Sequence, residues 1–523
     1  MQRRELLMAV GAGGVLAAQA ASAAQAGANV QLSASELAAQ MVAGKTSSVK
    51  LLDGYIKRIE ALDRRGPTLN SVMELNPDAK ALAKVLDDER RAGKVRGPLH
   101  GLPVLLKDNI ATGDRMATTA GSLALDGVSA ARDAHVVKRL REAGALIMGK
   151  TNLSEWANIR STRSTSGWSA RGGLTRNPYA LDRNTSGSSS GSATAIAADL
   201  AAFALGSETD GSIVSPASIG GLVGLKPTVG LVSRDGIIPI SHTQDTAGPM
   251  TRTVADCALL LSGMVGKDTL DEATHKSPGI TNYVNGLKRD ALKGVRLGVA
   301  REYFTGHAGV DALIDKALLD LKRLGAEVVD AVPLPKPSYG EAEFLVLLTE
   351  FKADLAKWLK AFAPGAKVQS LADVIAFNEM HRNREMPHFA QELFAQAQGM
   401  GGLDGAAYLK ALQTCQKGAR DDGLDRVLTD LKLDALIAPT GGVAWLSDYV
   451  LGDNPGSGFS TPAAVAGYPH LTVPAGFVAG LPVGLSFVGP AWSEAKLLAY
   501  GFAFEQATMH RRPPAFAART ALV

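Results

Sequence analysis

The chain of 523 residues is 46% hydrophobic and 20% charged, with 55 Lys and Arg against 51 Asp and Glu for a formal net charge of +4, the composition of an ordinary globular protein. Its 56 glycines and 24 prolines fall below the share at which low-complexity chains begin, which excludes collagen, coiled coil and disorder. So small a net charge, without a run of five like charges, leaves no electrostatic footprint for nucleic acid.

At the amino terminus Arg3 and Arg4 precede an apolar run from Leu6 to Ala18, followed by Ala21-Ser22-Ala23 and Ala24-Gln25-Ala26, which have the A-x-A form of a cleavage site. Residues 1–26 are therefore expected to be an export signal. The arginine pair points to the twin-arginine route and to a periplasmic or secreted mature protein spanning residues 27–523. No other stretch reaches the ~18 consecutive apolar residues of a membrane span, so the mature protein is expected to be soluble.

Ser33-Ala34-Ser35-Glu36 matches a capping box that opens a short helix, closed by Gly44. A second helix, with Ser48 as its expected cap, is predicted by the spacing of Leu51, Leu52, Tyr55, Ile59 and Leu62, and Gly66-Pro67 breaks it. From about residue 100 the apolar runs Leu102 to Leu106, Val136 to Leu140, Ala145 to Met148 and Ala195 to Leu205 alternate with helical patterns, which predicts an α/β fold around a largely buried sheet. Residues from about 310 to 430 are richer in helix formers and charge, and strand character returns in Asp434 to Ala438, His470 to Val473 and Leu481 to Val488. The middle segment is read as a mainly helical insertion into one sheet. Cys257 and Cys415 can build neither a disulfide scaffold nor a thiolate cluster, one bridge between them being possible, and the nine histidines show no HExxH or HxH spacing and are read as structural.

Ser and Gly crowd together between Ser161 and Gly236 without repeating as a linker would. The run Thr185-Ser186-Gly187-Ser188-Ser189-Ser190-Gly191-Ser192-Ala193 leads straight into Ala195-Ile196-Ala197-Ala198. Small residues ahead of a helix leave backbone N–H groups free to face a ligand.

Three short motifs compete for the chemistry. Gly144 to Thr151 fits the P-loop pattern letter for letter, but Asp133 to Ala143 reads as a helix, Gly144 as its stop and Ala145 to Met148 as a strand, the reverse of what a phosphate loop needs. Gly187-Ser188-Ser189-Ser190-Gly191 fits the GxSxG nucleophile elbow, with Ser189 as nucleophile and His470 or His510 as base; a polar loop containing Pro178 stands where its strand should be, and it is kept as the alternative. Ser47-Ser48-Val49-Lys50 fits SxxK, but no KTG follows.

A separate constellation needs no such motif. Lys107 ends the apolar run Leu102 to Leu106, where burial would disfavour an ammonium; a surface lysine after the strand is the alternative. To serve as a base near neutrality it must lose roughly 3 pKa units from ~10.4, about 4 kcal/mol of differential interaction, which desolvation can supply. Ser188 and Ser212 join it, the latter in Gly206-Ser207-Glu208-Thr209-Asp210-Gly211-Ser212-Ile213, where successive N–H groups can converge on one oxyanion.

On these residues the chain resembles the amidase signature family, serine hydrolases with a Ser-cisSer-Lys triad. The Gly/Ser-rich stretch from Ser186 through Ile213 carries the resemblance, including a nucleophile 24 residues after the bridging serine. Gly97-Pro98-Leu99-His100-Gly101, Lys150 to Asn158, Ser166 to Gly173 and Gly224 to Ile240 carry it toward the family's bacterial peptide-amidase branch. Many other members place Arg two residues after the nucleophile, where this chain has Val214. The resemblance implies a single large α/β fold with a central mixed, mostly parallel sheet covered by helices. It implies Lys107 as base, Ser188 as bridging serine in a cis Gly187–Ser188 peptide, Ser212 as nucleophile, and Thr209, Asp210, Gly211 and Ser212 as backbone oxyanion donors, without cofactor or metal.

The implied activity is release of ammonia from carboxamides, such as the C-terminal amide of peptides, by a monomer without nucleic-acid or stable membrane partners. Small aliphatic or aryl amides and esters are the alternative substrates. Ammonia transfer onto charged tRNA is disfavoured by the export signal and the lack of a basic patch, and a purely binding role by the intact triad positions. Ser189 is read as a loop support, and Trp156 and Trp168 as packing residues.

Overall fold

Ser33 opens the first helix, Ala34–Val42: its Oγ accepts the Glu36 N–H at 3.2 Å while the Glu36 carboxylate accepts the Ser33 N–H at 2.7 Å, the reciprocal pair of a capping box. The next helix, Ser48–Arg58, is capped by Ser47, whose Oγ accepts the Lys50 N–H at 3.3 Å. The expected cap, Ser48, is instead buried one position further in and donates its N–H to Asp87 at 2.7 Å. The computed structural model describes residues 31–520, so the export signal expected over residues 1–26 lies outside the described residues.

Thirteen strands follow among the described residues: β1 (Val72–Leu75), β2 (Pro103–Lys107), β3 (Leu146–Thr151), β4 (Trp168–Ser169), β5 (Gly173–Leu174), β6 (Phe203–Glu208), β7 (Val223–Lys226), β8 (Thr246–Thr251), β9 (Arg296–Val299), β10 (Glu327–Val329), β11 (Ala435–Pro439), β12 (His470–Val478) and β13 (Leu481–Val488). Eleven of them form one sheet in the order β1-β3-β2-β6-β8-β7-β12-β13-β11-β9-β10, and β4 and β5 pair apart from it.

The sheet is mixed, but the expectation that it is mostly parallel is wrong. Only β2·β3, β2·β6, β9·β11 and β9·β10 run parallel. The other six neighbouring pairs are antiparallel. Parallel pairing needs a crossover, and helices such as His135–Glu142, Ser190–Ala197 and Ala308–Arg323 lie in the connections of these four pairs. Through the centre the chain turns back on itself, most tightly at Ala479-Gly480, where φ of +49° and +79° closes the β12–β13 hairpin. Burial on both faces produced the misleading signal: β2, β3, β6, β8, β11 and β13 are buried along their whole length, and continuous apolar strands are the usual mark of a parallel sheet.

Side chains alternate between the two cores that the sheet separates. Val104, Leu106, Ile147, Phe203 and Leu205 join one hydrophobic cluster, and Leu105, Leu146, Met148 and Ala204 join the other, the period of two that a strand imposes. The segment Gly144 to Thr151 is helix end, turn and strand: Gly144 has φ +85° after the helix His135–Glu142, and β3 follows. No helix of the described residues is long and apolar enough to cross a membrane.

The Ser190–Ala197 helix is buried on every side. At Gly191 a Cβ would press on the carbonyl oxygens of Ser71 and Asn152, and backbone cannot yield as a flexible side chain can. Gly191→Ala is therefore expected to cost about 1–3 kcal/mol through overpacking. Thermal unfolding should register a melting temperature several degrees below wild type; an unchanged one would mean that the helix has room to shift.

Candidate active site

Lys107, the last residue of β2, is fully buried. Its Nζ lies 2.7 Å from Ser188 Oγ, 2.9 Å from Ser207 Oγ and 3.1 Å from the Ser207 carbonyl oxygen. Asn109 Nδ2 donates to Ser207 Oγ at 2.9 Å, fixing that hydroxyl from the other side. Burial pulls the Lys107 pKa down to about 7 from an ordinary 10.5, against the opposing pull of Asp245 and Glu208. A neutral amine here can give its two N–H groups to Ser207 and turn its lone pair to the Ser188 hydroxyl.

The Gly187–Ser188 peptide is cis. Ser154 N–H donates to the Ser188 carbonyl at 3.1 Å. Ser189 Oγ donates to the Ser207 carbonyl at 3.1 Å and accepts the Ser207 N–H at 3.3 Å, while its own N–H donates to the Ser212 carbonyl at 3.1 Å. Ser189 thus ties three segments together: the Gly/Ser loop, the end of β6 and the turn that carries Ser212. The histidines proposed for an elbow triad sit elsewhere. His470 Nε2 lies 2.5 Å from Ser486 Oγ on β13, and burial pushes its pKa down to about 3. His510 lies beyond the last helix, Glu494–Thr508, 4.0 Å from Asp320.

Ser212 sits in the turn between β6 and the short helix Val214–Ile219, 8% exposed. The turn is wound around the Glu208 carboxylate. Oε1 accepts the Gly211 N–H at 2.9 Å, and Oε2 accepts those of Ile213 at 2.7 Å and Val214 at 3.0 Å. Burial raises the Glu208 pKa while Lys226 and these donors hold it down. Of the four N–H groups expected to face an oxyanion, that of Gly211 is thereby engaged with Glu208. Those of Thr209, Asp210 and Ser212 have no acceptor among the described residues. Gly211 adopts φ +75°, the left-handed region the turn requires.

A cavity of about 310 Å³ opens beside this turn, with Gly187, Asp210 and Gly211 on its floor and Trp445, Asp453 and Thr461 on the far wall, a size that suits a small ligand. The wall is pinned by Asp453, which accepts the Ser166 N–H at 3.0 Å, Trp445 Nε1–H at 3.2 Å and Asn184 Nδ2–H at 3.3 Å. Thr461 Oγ1 donates to Asp210 Oδ2 at 2.6 Å, joining wall to floor. Sequence reasoning did not reach Asp453 and Trp445, in a Gly-rich loop without a motif, or Thr461, in the helix Ser460–Ala466 that follows it, all more than 200 residues from the Gly/Ser run. It also passed over Glu208, although a lone carboxylate in an apolar strand end ahead of a Gly turn was a usable signal.

Trp156 and Trp168 are buried, Trp156 edge-on to Phe394 at 5.7 Å and Trp168 edge-on to Phe389 at 5.2 Å. Cys257 and Cys415 are free thiols. Among the described residues one trio, His242, Glu350 and Asp354, brings ligand-type atoms within 4.8 Å of one another. These groups already serve each other and the chain: His242 Nδ1 lies 2.6 Å from Asp354 Oδ2, and Glu350 accepts from Ser241 at 2.5 Å and Tyr408 at 2.7 Å.

Comparison with known proteins bears on this arrangement. The amidase family pattern matches residues 50–498. The native peptide amidase of Stenotrophomonas maltophilia superposes with a TM-score of 0.89 at 51% identity, covering 94% of this chain and 99% of that one. An amidase family protein of Bacillus anthracis superposes with a TM-score of 0.85 at 38% identity, covering 93% of this chain and 92% of that one. A probable amidase of Arabidopsis thaliana is 43% identical over 91% of this chain and 89% of its own length.

The burial of Lys107 has a measurable effect on stability. Below pH 7 the native protein must enclose an ammonium, and between about 7 and 10.5 the native state sheds its proton while the unfolded chain keeps it, so this group makes wild type gain stability as pH rises. Lys107→Met is expected to melt above wild type at pH 6, with the gap narrowing toward pH 9. Melting curves across that range check it, and a gap independent of pH would contradict the burial cost.

Proposed function

Because this chain belongs to the amidase family, we propose that its amide-hydrolysing activity is directed to the C-terminal carboxamide of peptides, with Ser212 as nucleophile, Ser188 as bridging serine and Lys107 as base. The observation that carries this reading is the hydrogen bond between the wholly buried Lys107 amine and Ser188, with the neighbouring Ser189 N–H tied to the carbonyl of Ser212 at 3.1 Å. The likeness to peptide amidase, named for peptides as its substrate, supports the substrate class. The cavity agrees with it, since no Lys, Arg or His among the described residues lines it to hold a substrate carboxylate.

In this mechanism neutral Lys107 takes the Ser188 hydroxyl proton as Ser188 takes that of Ser212, and Ser212 Oγ attacks the carboxamide carbon. The carbonyl oxygen becomes an oxyanion, which the N–H groups of Thr209, Asp210 and Ser212 stabilise; one such donor is typically worth about 3–4 kcal/mol. The proton returns through Ser188 to the nitrogen, the C–N bond breaks, and ammonia leaves a Ser212 ester. Water, deprotonated by the same relay, attacks the ester and releases the peptide acid and free Ser212. The signal expected over residues 1–26 supports action outside the cytoplasm.

An N-acetyl dipeptide amide is expected to release ammonia, while an N-acetyl tripeptide acid of matching sequence stays intact. Ser212→Ala should lower ammonia release by about 10³-fold or more, the scale on which losing a nucleophile acts. Cleavage of the peptide bond, or turnover of aryl amides with peptide amides untouched, would overturn the substrate assignment; an active Ser212→Ala enzyme would overturn the nucleophile.

A further inference from the structure

Asp245 stands one residue ahead of β8. Thr246 pairs with Glu208 across the antiparallel β6–β8 ladder, so the next pair outward is Asp245 opposite Thr209. The two side chains meet there: Thr209 Oγ1 donates to Asp245 Oδ1 at 2.6 Å. Oδ2 of the same carboxylate accepts the N–H groups of Ile240 at 2.8 Å and Ser241 at 2.9 Å. Gln244 Nε2 donates to the Thr209 carbonyl at 3.3 Å. Thr209 is therefore held by side chain and carbonyl at once, and its N–H is one of the three without an acceptor among the described residues.

The same carboxylate bears on the base. Ser207 and Thr209 are two residues apart along β6 and its continuation, so their side chains share a face. Ser207 touches the Lys107 amine, and Thr209 touches Asp245. Asp245 is 7% exposed, and in such surroundings a charge acts across a distance that water would screen.

We propose that Asp245 is a positioning residue for the reaction: it locks Thr209 so that the Thr209 N–H faces the oxyanion, and its negative charge sets how readily Lys107 loses its proton. This rests on the reading of Lys107 as base. Glu208, next to Ser207 at the end of β6, acts on the amine through its charge while its carboxylate is turned to the Gly211, Ile213 and Val214 N–H groups. Arg234 faces Asp245 from the loop before β8, with Asp271 as its own partner. Behind the loop, the helix Gly340–Phe362 presents Glu350 to Ser241, Asp354 to His242 and Glu343 to Gln244.

The test is the pH profile of kcat and KM on an N-acetyl dipeptide amide for wild type, Asp245→Asn, Thr209→Val and Thr209→Ser. Wild type is expected to lose kcat/KM below about pH 7, where Lys107 is protonated. Asp245→Asn removes the charge that favours the ammonium, so the acid limb should move down by about one pH unit. Thr209→Val breaks the lock, and because it also removes a donor that holds the Asp245 carboxyl down, its effect is read on the plateau above about pH 8. There it should lower kcat about tenfold or more with KM little changed, and Thr209→Ser should restore kcat. An acid limb unmoved by Asp245→Asn, or a Thr209→Val enzyme with wild-type kcat, overturns the proposal. If Asp245→Asn is insoluble, the Thr209 pair still decides. A wild-type profile flat through pH 7 instead overturns Lys107 as the base, and that failure is distinguishable because it precedes any effect of Asp245.

Discussion

The amine of Lys107 is kept from water against oxygen atoms that satisfy two N–H donors, and no carboxylate of the described residues is in contact with it. Hydration of the ammonium is lost, and Asp245 and Glu208 return only part of it from a distance. The rest of the site can be read as the set of conditions that keep this arrangement dry and in register. β2 and β6 must lie parallel and adjacent, so that the ends carrying Lys107 and Ser207 coincide. The Gly/Ser loop must approach them closely enough to place Ser188 on the third face of the amine.

That close approach explains the composition of the loop. Ser190 Oγ donates to the Ser186 carbonyl at 2.6 Å, Ser192 Oγ to the Leu205 carbonyl at 2.8 Å, and Ser186 and Ser215 hydroxyls meet at 2.8 Å. A buried segment that leaves regular structure needs partners for its peptide groups, and serine provides a donor and an acceptor in nearly the volume of alanine. Ser189 is the clearest instance: what reads as a nucleophile in a five-residue pattern is a brace across three strands of chain.

The sequence offered candidates for the chemistry more readily than it showed the architecture. A lysine ending an apolar strand, a Gly/Ser run and a Gly turn single out Lys107, Ser188 and Ser212, the family resemblance supplies the roles proposed for them, and the structure sets the Lys107 amine against Ser188. The direction of the strands was not visible: helices on both faces hide the alternation that marks an antiparallel sheet, so β6, β7, β8, β12 and β13 read as parallel strands would. The error at Ser48 was of the same kind, since Ser47 and Ser48 are equal as caps until Asp87, 39 residues on, claims the Ser48 N–H. Asp245 and Asp453 escaped for a further reason. A single carboxylate in a polar stretch carries no pattern, and its role comes entirely from what the fold sets against it.

Floor and wall of the cleft come from distant parts of the chain and are joined by side-chain bonds such as those of Asp453 and Thr461. The residues from Thr440 to Ser460 add no strand to the sheet and no atom to the Lys107 hydrogen bonds. A cavity-facing side chain of this stretch such as Trp445 can therefore be exchanged without touching the bonds that hold the amine, whereas Phe459, buried in the core, cannot. Replacing the wall is a direct way to change what the cleft admits.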